Sequence, residues 1–187
     1  MHGCAPVGEL RKLKLEYDEQ ITALRRDGQT DTAHFERVLR EQFEAYDNLL
    51  DEQDQSKFLL AAPSAALAVI DSWKTLAEMQ ACRLYAVCVM GNHAHALIAG
   101  LDKENRGPVG NLVRRHKTFT SRTIKALLQN SAEVWDAGFY DRYVRTGRFW
   151  EVLQYVLDNP VKAGLVSHWT EWPHVFVDQR CLDRLAS

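Results

Sequence analysis

His93 and His95 are separated by one residue in a stretch rich in β-formers, HAHALIA at 93–99. Side chains two apart on a strand point to the same face, so two imidazoles stand side by side and can chelate one divalent ion. A lone H-x-H pair also occurs as ordinary surface or core histidine, and by itself the motif is weak. Tyr155 and Asn159 are four apart on an expected helix and share a face. There the phenol can serve as a nucleophile and the amide carbonyl as a third metal ligand. Equally, Tyr155 can be half-buried packing and Asn159 a helix C-cap before Pro160. Tyr140 and Tyr143 are rival nucleophiles, interleaved with Arg142 and Arg145, but neither has an asparagine four residues on. Basic and aromatic groups alternating in this way suit single-stranded DNA. His116 and His174 read as structural.

These groups need elements to position them. Leu10, Leu13, Tyr17, Ile21 and Leu24 recur at helical spacing up to Asp27-Gly28. Asp31 is a candidate N-cap for a second helix, whose apolar stripe is Phe35, Val38, Leu39, Phe43, Tyr46, Leu49 and Leu50. Together they predict a helical hairpin over 8–60. Pro63-Ser64 opens a third helix. CRLYAVCVM at 82–90 reads as a strand apolar on both faces, Gly91-Asn92 as a two-residue hairpin turn, and 93–99 as its partner strand. From 109 to 129 the pattern is helical and basic, carrying Arg114, Arg115, Lys117, Arg122 and Lys125. Such a stripe is either a solvated face or a track for phosphates. A short strand is expected over 139–144. Gly147 precedes a helix running to Asp158, and Pro160 and Gly164 bracket one further helical turn. The tail from Ser167 is rich in tryptophan and has no readable period.

Composition limits the alternatives. The 187 residues are enough for one domain with a core, and 46% hydrophobic with 26% charged residues is the balance of a soluble globular chain. No apolar run approaches the roughly 20 residues of a membrane span, and the N-terminus has no signal-peptide pattern. The cytoplasm is therefore the default expectation. Cys4, Cys82, Cys88 and Cys181 form no CxxC, which argues for free thiols, with Cys88 in the core. The net charge of −2 conceals an asymmetry: 9 basic against 15 acidic residues in 1–81, but 14 against 10 in 82–187. The second half can present a positive face.

Four blocks, in order, resemble one known family. Residues 89–98 read VMGNHAHALI beside a family pattern VMPNHVHLLI. Residues 117–121 read KTFTS beside K-S-F-T-A. Residues 135–145 read WDAGFYDRYVR beside W-x-x-x-Y/F-x-D-R-Y-I-R. Residues 155–166 read YVLDNPVKAGLV beside Y-I-x-x-N-P-V-K-A-G-L-V. The family is the HUH single-tyrosine transposases, in the branch associated with repetitive extragenic palindromes. Two departures stand near the histidines: Gly91 for the family's proline and Ala94 for its valine.

The resemblance implies an α+β fold, an antiparallel sheet with helices mainly on one face, plus the N-terminal helical hairpin. It implies a single transposase-like domain with its catalytic core at 64–166 and a tail at 167–187. It further implies an enzyme that cleaves and rejoins single-stranded DNA near palindromic hairpins. Tyr155 would be the nucleophile. His93, His95 and Asn159 would hold Mg²⁺ or Mn²⁺. Arg114, Arg115, Lys117, Arg122, Arg142, Arg145 and Lys162 would contact DNA. The resemblance also implies a monomer, with Tyr155 acting within its own chain. The family opens with a β-strand, whereas this chain enters helix near Glu9, so the first strand is expected to be missing. The corresponding alternatives are an inactive or truncated descendant that only binds DNA, and a metal-dependent phosphodiesterase that hydrolyses another substrate.

Overall fold

A computed structural model describes residues 15, 16, 19, 32–79, 82–99, 109–136, 139 and 144–185. The chain divides into two compact units, residues 1–54 with 140–142, and residues 55–139 with 143–187. In the first unit, helix α1 (Thr32–Asp51) begins immediately after the candidate cap Asp31. Leu50 is buried and Phe43, Tyr46 and Leu49 are half-buried, as the apolar stripe predicts. The polar side carries Arg37–Glu41 and Arg40–Glu44 pairs at 3.9 Å, both well exposed. Exposed pairs at this spacing contribute little stability. Of the preceding helix of the expected hairpin, Leu15, Glu16 and Glu19 are helical and the rest lies outside the described residues. So do residues 1–14, on which the expectation of a missing first strand falls.

The second unit is built on a three-stranded antiparallel sheet of order β2-β1-β3. β1 (Arg83–Val89) and β2 (Ala94–Ala99) form the expected hairpin, with Cys88 opposite His95 and Val89 opposite Ala94. The register shifts between Leu84 and Ala86. That bulge puts Tyr85 and Ala86 on one side of the sheet, so the alternation resumes with Val87 and Val89 facing the side of Leu84. β3 (Val175–Val177) comes from the tail and pairs with the other edge of β1. β1 is thus central and covered on both faces, which explains why it is apolar throughout.

α2 (Pro63–Glu78) and α3 (Val109–Leu128) form the larger helical layer on one face. Pro63 occupies the first helical position, where its missing N–H costs nothing. α2 buries Ala65, Val69, Ile70, Trp73 and Leu76 against Leu84, Val87, Val89 and Ile124. α3 buries His116, Thr120 and Ile124, one residue per turn. It ends with Gln129 in the left-handed region (φ 48°), and the Asn130 N–H closes the end by donating to Lys125 O at 3.1 Å. The other face is covered by α4 (Phe149–Leu157), whose Leu153, Val156 and Leu157 pack on Ala86, Cys88, Met90 and Leu97. Helix α5 (Asn159–Lys162) follows after one residue, and α6 (Gln179–Leu185) closes the chain, burying Cys181 in the same cluster. Gly164, at φ 68°, ends α5 in a conformation that a Cβ would strain, and its N–H donates to Val161 O at 3.0 Å.

The class is α+β, and α2, the hairpin, α3 and α4 lie where periodicity placed them. Two differences stand out. Phe139 and Val144 are in no strand, and 140–143, the middle of the strand expected there, fall outside the described residues. The tail, unreadable as sequence, supplies β3 and α6. Cys82, Cys88 and Cys181 are buried free thiols, and burial raises the pKa of Cys82 and Cys181. No helix of the described residues is long and apolar enough to cross a membrane.

Candidate metal centre

The hairpin turn sets the histidines in place. Met90 N–H donates to His93 O at 2.9 Å, so Gly91 and Asn92 form the tip and Ala94 is the first residue of β2. Neither tip residue has positive φ, which removes the usual reason for glycine in such a turn. Gly91 is needed for another reason. A Cβ there would sit 2.8 Å from the carbonyl carbon of Gln55 and closer still to its oxygen. A proline ring in the family's place would meet the same backbone.

His93 and His95 then share the face of the sheet covered by α4. Their rings are 4.8 Å apart and nearly perpendicular. Each offers a ring nitrogen within 4.8 Å of the other's, and the pair could hold a metal ion. His93 Nδ1–H donates to Asn92 Oδ1 at 2.7 Å. That bond fixes the tautomer and leaves Nε2, which is buried, as the lone-pair nitrogen. Asn92 is a residue that sequence reasoning assigned only to the turn.

α4 brings the third group. Because Leu153, Val156 and Leu157 anchor the helix on the sheet, Tyr155 falls at the rim, half-buried, with its ring 6.3 Å from that of His95. Asn159 is fully buried and does two things. Its Nδ2 donates to Tyr155 O at 2.8 Å and Val156 O at 3.3 Å, capping the end of α4. Its Oδ1 is buried with no hydrogen-bond partner among the described residues. Leaving a buried carbonyl unsatisfied costs about 1–3 kcal/mol, a cost that a bound cation removes. The C-cap and ligand readings of Asn159 are therefore compatible, one for each end of the amide. Lys162 lies with Nζ 3.1 Å above the centre of the Tyr155 ring, a cation–π contact that places it beside the nucleophile candidate.

The two imidazoles, side by side on one face, could hold a metal ion. Nitrogen donors move the preference from Mg²⁺ towards Mn²⁺. A divalent ion bound there would supply Lewis-acid polarisation of an oxygen ligand.

The basic residues are split. Arg114, Arg115 and Arg122 line a cavity of about 540 Å³ between α2 and α3, on the opposite face of the sheet from the histidines. Lys117 points elsewhere: it donates to Asp136 O at 2.9 Å and lies 5.8 Å from the Trp135 ring. Arg145 is exposed beyond the N-terminus of α4, while Arg142, Tyr140 and Tyr143 lie outside the described residues.

His116 and His174 make the packing and backbone contacts of structural residues. His116 is buried, hydrogen-bonded to Ser72 Oγ at 2.9 Å and stacked 4.4 Å from Trp73. Burial, helped by Lys117, pushes its pKa down to about 3. His174 accepts from Val89 N–H through its backbone carbonyl, and burial lowers its pKa. No protein-family model, no curated protein and no solved structure matches this chain.

Proposed function

We propose that this protein cuts and rejoins single-stranded DNA through a covalent link to Tyr155, next to a divalent ion held by His93, His95 and Asn159. The observation that carries the reading is the convergence, on one face of the sheet, of the His93–His95 pair with the Tyr155 ring 6.3 Å away. In this scheme the Tyr155 phenolate oxygen attacks the scissile phosphorus. The bond from phosphorus to the 3′-oxygen breaks, and that oxygen leaves as a 3′-OH after taking up a proton. The DNA 5′ end remains on Tyr155 as a phosphodiester. A 3′-OH can later attack the phosphotyrosine, restoring a DNA phosphodiester and freeing the tyrosine, so rejoining needs no nucleotide cofactor. Lys162 holds the ring in place, and the Asn159 amide ties the backbone of Tyr155 to the same centre. DNA able to fold into palindromic hairpins is the substrate implied by the four sequence blocks.

The test uses the full chain, a labelled hairpin oligonucleotide with a single-stranded flank, and Mn²⁺. Wild type should give a protein–DNA adduct that survives denaturing electrophoresis, and Tyr155→Phe should give none. An equal adduct from Tyr155→Phe would assign the nucleophile elsewhere. Clean hydrolysis without an adduct would favour the phosphodiesterase alternative.

A further inference from the structure

The face of the sheet away from the histidines carries a second site, the 540 Å³ cavity between α2 and α3. On the α2 side, Ser72, Thr75, Leu76 and Met79 recur at helical spacing and carry no charge. The hydroxyls of this wall are already engaged: Thr75 Oγ1 donates to Asp71 O at 2.8 Å, and Ser72 Oγ bonds His116 Nδ1 at 2.9 Å. What α2 offers an occupant is therefore apolar. On the α3 side, Arg115, Phe119 and Arg122 follow one another at successive turns, so the phenyl ring has a guanidinium on each side of it along the helix. Phe119 is 57% exposed and Met79 62% exposed, which leaves two large apolar side chains uncovered at the rim. Arg114 donates to Asn111 Oδ1 at 2.7 Å. Arg115 and Arg122 have no acidic partner among the described residues, and no acidic side chain among them lines the cavity.

We infer that the α2–α3 groove binds a small amphipathic organic anion, an apolar body laid on Leu76, Met79 and Phe119 and ending in a carboxylate held by Arg115 and Arg122. The volume sets the size of the occupant, since it is in the range of pockets that enclose a small molecule. The charge sets its sign: two guanidinium groups with no partner of their own match carboxylate oxygens in pairs. The uncovered rim sets the rest. Burying the Phe119 ring and the Met79 side chain under an apolar body releases water from both surfaces. Excluding that water also strengthens the bonds between guanidinium and carboxylate. A neutral molecule of the same shape would gain only the apolar part, and a short anion without the body only the charged part. The groove and the Tyr155 site lie on opposite faces of the sheet, and neither needs the other for its chemistry.

Titration calorimetry of the full chain with decanoate, below its micellar concentration, and with the neutral analogue decanol tests this. Wild type should take up one decanoate per chain and bind it more tightly than decanol. Arg115→Ala and Arg122→Ala should each weaken decanoate by about tenfold or more and leave decanol unchanged. Phe119→Ala should weaken both ligands. All three side chains are exposed, and thermal melting checks that each variant folds. Uptake by wild type that does not saturate, or decanoate affinity unchanged in both arginine variants, overturns the inference. So does an oligothymidine that binds wild type and loses affinity in Phe119→Ala and Arg122→Ala while decanoate does not bind, a result that would give the groove to nucleic acid.

Discussion

The two faces of the sheet hold their candidate groups in different ways. On the α4 face, His93, His95 and Asn159 are wholly or largely buried, and each is positioned by backbone: a hairpin turn, a strand register, the capped end of a helix. On the α2–α3 face, Arg115, Phe119 and Arg122 project from a single helix into solvent. The first arrangement suits groups that must keep a fixed geometry around one ion or one phosphorus atom. The second leaves exposed side chains room to change rotamer. Substitutions should therefore act all-or-none on the first face and by degrees on the second.

The largest effect is expected at the histidines. His95→Ala should weaken Mn²⁺ binding, followed by calorimetry or by the electron paramagnetic signal of free Mn²⁺, by more than the roughly 10–100-fold typical of losing a supporting residue. Asn92→Ala, which removes only the partner of His93 Nδ1, should fall within that 10–100-fold range. Unchanged affinity in both variants would erase the contrast between the faces.

Next is an acid effect on the α3 side. His116 is neutral when folded, with its pKa lowered from 6.5 to about 3 chiefly by burial. The unfolded chain takes up that proton near pH 6.5. The stability gained by burying the neutral ring is thus complete above pH 6.5. It shrinks as pH falls, by at most about 1.4 kcal/mol per unit, and is lost once the folded ring protonates near pH 3. Melting temperatures of wild type should drop faster than those of His116→Gln between pH 6.5 and 3; parallel curves would show that another group controls acid unfolding.

A smaller effect is expected at the turn. Gly91→Ala forces a Cβ onto the Gln55 carbonyl and should cost about 1–3 kcal/mol, read as a lowered melting temperature. If the backbone relaxed freely, melting would be unchanged, and Gly91 would be replaceable.

Much of the frame was legible because long periodic elements carry it. α2, α3 and the β1–β2 hairpin follow from apolar spacing, proline at a helix start and a two-residue turn. β3 was not, because three residues, Val175, Phe176 and Val177, are too few to show a period and become a strand only by pairing with Ala86, Val87 and Cys88. The bulge at Tyr85 is likewise a property of pairing. At the site, the spacing of His93 and His95 was sufficient to place them side by side. The placement of Lys162 over Tyr155 was not readable, since it depends on the chain reversing after Asn159-Pro160. The groove escaped notice because half of it belongs to α2: His116 meets Ser72 across 44 residues of sequence.

The central claim is that Tyr155 takes up the DNA end, and mass spectrometry of the trapped reaction tests it most directly. After reaction with the hairpin oligonucleotide in Mn²⁺, nuclease trimming and trypsin digestion, the peptide of residues 149–162 contains Tyr155 as its sole tyrosine. The account expects a nucleotide phosphate on that peptide. The same mass added to a peptide containing Tyr140 or Tyr143, with 149–162 unmodified, would contradict it.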